Sequence, residues 1–101
     1  MSSFLANDDA SYAAQTVSYT GTAGVTATFP AGCTSVLVWA TTAAYIKVGV
    51  GVTATTASTP LPANTPMIFS VPAGTGAPWR VSAIQVASGG NVYAKPGALI
   101  V

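Results

Sequence analysis

The stretch "VLVWATTAAYIKVG" (Val36 to Gly49) can be laid without a gap over "IQVASGGNVYAKPG" (Ile84 to Gly97), and the two together decide how the chain reads. Val38 falls on Val86, Tyr45 on Tyr93, Lys47 on Lys95 and Gly49 on Gly97. Each stretch holds two runs of the β-branched and aromatic residues that suit a pleated, half-buried surface. In the second, Gly89 and Gly90 can supply the positive φ angles that a two-residue hairpin turn demands. That turn opposes Ser88 to Asn91, Val86 to Tyr93 and Ile84 to Lys95, so Ile84, Val86, Tyr93 and the Lys95 stem share one face. Thr41 and Thr42 occupy the Gly-Gly position of the first stretch. β-Branched residues resist positive φ, so the first hairpin is expected to have a longer loop.

Working outward, "FPAG" (Phe29 to Gly32) and "VPAG" (Val71 to Gly74) precede the two stretches, with extra residues around "TGAPWR" in the second. The match is either a two-fold internal similarity, whose natural product is a sandwich of similar halves, or a coincidence of a chain dominated by Ala, Thr, Val and Gly. The remaining segments "QTVSYT", "VTATF", "VTATT", "MIFSV" and "ALIV" are short, β-prone and separated by Gly, Pro and Asn. No long segment shows helical spacing of apolar positions behind a cap. The expected fold is all-β: an antiparallel β-sandwich or jelly roll of about eight short strands. "TTASTPLPANTPM", with Pro60, Pro62 and Pro66, reads as the extended surface crossing such topologies use. Residues 1–14 lack a period and carry both acids, so they read as an extended N-terminal arm ahead of a single domain, residues 15–101. "ALIV" at the end is either the last strand of its own sheet or a strand added to a neighbour's edge.

Composition narrows the function. Charged residues are 5% of the 101, against about 25% in an average soluble domain, and a domain of this size buries roughly 60–70% of its unfolded surface. The apolar runs are too short for a membrane span, and "MSSFLANDDASYAA" lacks the basic start and apolar run of a secretory signal, so the mature chain is expected to begin near Met1. So little charge without a span points to a surface shielded by other protein, or to a domain kept in solution by its Thr and Ser hydroxyls. Asp8 and Asp9 are the only acids; Lys47, Arg80 and Lys95 are the only bases. Three scattered bases make no basic patch, which argues against a nucleic-acid partner.

Chemistry is equally sparse. With no His, one Cys and two adjacent carboxylates, the chain offers no general acid–base pair, no activated nucleophile and no zinc-type ligand set. No phosphate-binding glycine loop occurs. The expectation is a protein that is not an enzyme and holds no cofactor or metal, with Cys33 as a small apolar residue near a strand start.

Binding features remain. Trp39 lies inside an apolar run and reads as core. Trp79, at a loop edge beside Arg80, reads as exposed or as part of an interface. Tyr45 and Tyr93 share a face with Lys47 and Lys95, either as a patch or as rings packed on a sheet with snorkelling lysine tips. Asp8 and Asp9 are the only acids available to Lys47, Arg80 or Lys95. The arm therefore either docks on a neighbouring subunit, with Phe4 and Leu5 as apolar anchors, or is a solvated tail.

From Val52 to Gly97 the chain resembles the small Thr/Ala-rich β proteins encoded among structural genes of tailed bacteriophages, in particular capsid decoration or cement proteins. The resemblance lies in "VTATT", the "PLPAN" crossing, "VPAG", a strand, "SGGN" and "VYAKPG". It implies a β-sandwich or jelly-roll virion protein on the outer capsid surface, made in the host bacterial cytoplasm, a homo-oligomer (dimer or trimer) that clamps subunits of the major capsid protein. It offers no functional residue to transfer. Phe4, Leu5, Asp8, Asp9, Lys47, Trp79, Arg80 and Lys95 are the interface candidates that follow from the residues themselves. The alternatives are a glycan- or receptor-binding β-sandwich of a fibre or adhesin, and a tail or head–tail connector subunit.

Overall fold

The computed structural model describes residues 3–6, 9–30, 32–71 and 78–100. Among the described residues nine strands follow one another: β1 (Ser3–Ala6), β2 (Gln15–Tyr19), β3 (Gly24–Val25), β4 (Ser35–Ala40), β5 (Ala44–Gly49), β6 (Thr59–Leu61), β7 (Met67–Ser70), β8 (Arg80–Gln85) and β9 (Gly90–Ile100), with a 3-10 turn at Ala10–Tyr12. Two antiparallel sheets pack face to face. The first runs β2-β9-β4-β7, with β1 alongside the far end of β9; the second runs β3-β8-β5-β6. From β2 to β9 this is the strand order of an eight-stranded jelly roll.

Burial alternates as a two-sheet core requires. On β4, Val36, Val38 and Ala40 are buried while Leu37 and Trp39 are half-buried. Val92, Ala94 and Pro96 of β9 oppose those buried residues across the ladder. From the second sheet, Ala44 and Ile46 of β5 and Val81 and Ala83 of β8 complete the same core. One end is closed by Phe29 and Trp79, which exchange backbone bonds of 2.7 and 3.0 Å and pack with ring centroids 4.8 Å apart.

The strands expected to form two hairpins form none. β4 and β9 lie in the first sheet and β5 and β8 in the second, so residues 41–43 and 86–89 each carry the chain from one sheet to the other. Neither Gly89 nor Gly90 has a positive φ. Glycine is needed at 90 for space: a Cβ there would meet the Thr41 and Thr42 Oγ1 atoms at 2.6 Å and the Tyr19 hydroxyl at 3.1 Å. The two crossovers are tied through these groups. The Tyr19 hydroxyl donates to Thr42 O (2.7 Å), Thr42 Oγ1 donates to Ser88 O (3.0 Å) and Asn91 N donates to Thr41 Oγ1 (3.0 Å).

The repeat takes a different form from the expected one, because the two copies pair with each other. Trp39 opposes Tyr93 as Ile84 opposes Tyr45, Val38 opposes Ala94 as Ala83 opposes Ile46, and Val36 opposes Pro96 as Val81 opposes Val48. Exchanging the copies therefore carries one ladder onto the other. The Tyr-x-Lys-x-Gly strands match in the gapless frame, whereas Val36 answers to Val81 rather than Ile84, because the second crossover is longer.

Three further segments take definite places. The segment read as an arm supplies β1, which lies antiparallel along residues 97–100 of the same chain, so most of "ALIV" ends its own sheet as β9. "VTATT" is a loop over the second sheet, where Ala54 N donates to the buried Ser82 Oγ at 2.8 Å. The proline-rich crossing holds a short strand, β6, at a sheet edge where Pro60 needs no N–H partner.

Candidate protein-interaction face

The two outer faces of the sandwich differ. On the second sheet, the loop after β5 is pinned down: Ala54 N and Gly24 O both bond Ser82 Oγ, and Arg80 Nε donates to Val52 O at 2.9 Å. On the first sheet, among the described residues, a comparable tether occurs at the margin, where Lys95 Nζ donates to Tyr12 O of the 3-10 turn at 3.0 Å.

The centre of that first face is apolar. Trp39 and Tyr93 oppose each other on β4 and β9, their ring centroids 5.4 Å apart and their planes 15° from parallel. Both are half-buried. One ladder step away, Leu37 lies between Lys95 on β9 and Ile68 on β7, and Ile68 is 40% exposed. Thr16 of β2 flanks Tyr93 on the other side. The strands put these side chains there because alternation sends Val36, Val38 and Ala40 inward and leaves the odd positions outward. An outward aromatic pair with aliphatic neighbours and a single tethered cation can bury apolar area against a partner at little electrostatic cost.

The residues expected to form an interface do not converge. Lys47 is exposed on the outer face of the second sheet, opposite Ser82. Arg80 shares that face, half-buried and committed to Val52 O. Lys95 is on the opposite outer face, so Tyr45 with Lys47 and Tyr93 with Lys95 make no single patch. Phe4 is half-buried, its ring occupying the place where a side chain at Gly97 would lie, while Leu5 is 58% exposed. Asp9 is exposed and its Oδ1 accepts from Ser11 N at 2.9 Å, capping the 3-10 turn. That backbone bond, with a smaller contribution from the Ser11 hydroxyl, holds its carboxyl below the ordinary aspartate value. Asp8 lies outside the described residues.

Both tryptophan readings are corrected. Trp79, expected exposed or at an interface, is 1% exposed and donates from Nε1 to Pro30 O, so it is core. Trp39, expected in the core, is on the outer face. Parity sets Trp39 on the face opposite Val36, Val38 and Ala40, and the facing second sheet makes theirs the inner one.

No group of three His, Cys, Asp or Glu side chains comes together among the described residues. A cleft of about 360 Å³ opens beside β7, with Phe69 and Ser70 on one side and Lys47, Thr55 and Ser58 among its other walls. No family model matches the chain, and comparison with curated proteins and with solved structures finds no match.

Proposed function

We propose that this protein is a virion structural subunit that decorates a phage capsid and stabilises it by bridging adjacent major-capsid subunits. The observation that carries the proposal is the outer face of the first sheet, where Trp39, Tyr93, Leu37 and Ile68 form an aromatic and aliphatic surface beside the tethered Lys95, on a chain with almost no charge elsewhere. Jelly rolls recur in capsid proteins, which supports the reading by analogy of fold. A subunit that binds the assembled shell and not its separated parts stabilises the assembly by mass action, and many identical contacts add through multivalency. The test is to mix the purified protein with shells that lack it, sediment them and image the pellet. Ordered density at capsomer junctions is the expected result; protein left in the supernatant defeats the proposal.

The half-buried Trp39–Tyr93 pair favours a second reading, a glycan-binding face, because sugars stack on aromatic rings and Thr16 and Ser18 place hydroxyls beside the pair. Saturable quenching of tryptophan fluorescence by an oligosaccharide, without shell binding, would select it.

A further inference from the structure

The sandwich has four long edges, and three are defended against pairing with another chain. β3 is two residues long, and β6 carries Pro60 at its centre. The edge shared by β1 and β2 is interrupted by the 3-10 turn, and Gly24 of β3 lies so close to Ser18 O of β2 that a Cβ on Gly24 would stand 2.2 Å from it. β7 has none of these devices. It contains no proline or charge, Met67 and Ile68 are 36% and 40% exposed, and it is paired on one side to β4.

The open side has a definite set of donors and acceptors. Val71 N donates to Thr34 O at 3.0 Å, in register with the β4–β7 pairing. Hydrogen-bonded and non-hydrogen-bonded pairs alternate along an antiparallel ladder, so Phe69 and Met67 also bond toward β4. Ile68 and Ser70 therefore direct their N–H and C=O groups away from the sheet.

We propose that two copies of this chain pair through this edge, β7 antiparallel to β7, about a two-fold axis passing between their Phe69 residues. In that register Ile68 of one copy opposes Ser70 of the other, and all four outward N–H groups find carbonyl acceptors. Moving the axis to Ile68 sets Pro66, which lacks the donor, against Ser70, and moving it to Ser70 carries Ile68 past the end of β7, so the register about Phe69 pairs the most groups. A second copy fits better than a charged partner. Pairing identical strands brings like residues together, and like charges in that arrangement repel. β7 and the adjoining β4 have no charged residue to repel. The cleft beside Phe69 gives the opposing Phe69 ring room on the inner side, and the two first sheets become one continuous sheet. The proposal does not depend on the capsid reading.

Sedimentation equilibrium of the full chain tests it, alongside Ile68→Lys, which sets a cation at each end of the contact, and Ser70→Pro, which removes an N–H that the fold itself does not use. The expected result is a monomer–dimer equilibrium whose dissociation constant rises at least ~10-fold in either variant, with wild-type circular dichroism and melting. A second measurement reads the register: copies with Ile68→Cys mixed with copies with Ser70→Cys form a cross-disulfide, whereas neither alone does. A wild-type chain that stays monomeric, a dimer indifferent to both substitutions, or cross-linking of Ile68→Cys copies with one another overturns the proposal.

Discussion

Trp39 and Tyr93 stack across the β4–β9 ladder on the outside of the sandwich, whereas Trp79 is sealed inside it. The two tryptophans should therefore separate binding from folding. Replacing Trp39 by Ala removes an aromatic pair worth about 0.5–1.5 kcal/mol beyond its area and leaves no cavity between the sheets. Replacing Trp79 by Ala empties a core site at about 3–5 kcal/mol. The expectation is that Trp39→Ala melts within a few degrees of wild type and loses shell binding at least ~10-fold, while Trp79→Ala is grossly destabilised. Melting curves and co-sedimentation measure both.

Gly90 gives a sharper structural test. Its missing side chain leaves space for the Thr41, Thr42 and Tyr19 hydroxyl oxygens, which hold the first crossover to β9, to the second crossover and to β2 respectively. Gly90→Ala pushes into that cluster, and such overpacking costs about 1–3 kcal/mol. Because Gly90 has no positive φ, the loss comes from collision and not from backbone strain. Gly51, at φ +64° with nothing near its Cβ position, is the converse: substitution there strains the turn without a clash. Chemical denaturation of both variants should show the larger loss at Gly90→Ala, with Tyr19→Phe losing about 1 kcal/mol through its hydroxyl bonds alone.

How far the sequence reaches is visible at these same residues. The β class and the short strands follow from local composition and period, which the chain expresses residue by residue. The sheet each strand joins does not follow. Gly89-Gly90 announces a reversal, but a reversal can return along the same sheet or cross to the facing one, and the difference is decided by contacts with Tyr19 and Thr42, distant in the chain. Similarly, alternation reveals that β4 has two faces without saying which one looks inward. The narrow inter-sheet gap takes Val36 and Val38 and turns Trp39 out. Trp79 is buried by its bridge to Phe29, a pairing no local signal encodes.

Ser82 should control the loop over the second sheet. Its hydroxyl accepts from Ala54 N at 2.8 Å and donates to Gly24 O at 2.9 Å, and both Ser82 and Ala54 are buried. Ser82→Ala leaves the buried Ala54 N–H without its partner, at about 1–3 kcal/mol. Arg80 still holds Val52 O, so the loop should loosen locally rather than detach. Amide hydrogen exchange at Ala54 is expected to rise well above that at Val81, whose N–H is bonded to Thr26 Oγ1; equal acceleration at both positions would mean global unfolding instead.

Asp9 links the first turn of the chain to pH. Its carboxylate is stabilised chiefly by the Ser11 backbone N–H and further by the Ser11 hydroxyl, which together outweigh slight desolvation, so its pKa in the folded chain is below its unfolded value. A depressed folded value means that the carboxylate's contribution is fully present above the unfolded pKa. That contribution is lost as pH falls through the folded one, since the unfolded chain takes up the proton first. Asp9→Asn keeps a side-chain oxygen that can cap Ser11 N but does not titrate. The stability difference between wild type and Asp9→Asn should therefore be constant at neutral and mildly acidic pH and change as pH falls from the ordinary aspartate value through the lower folded one. Proton NMR should show the Ser11 amide shifting with that same transition in wild type and staying fixed in the variant. A Ser11 amide indifferent to pH in both proteins would show that the cap does not form in solution.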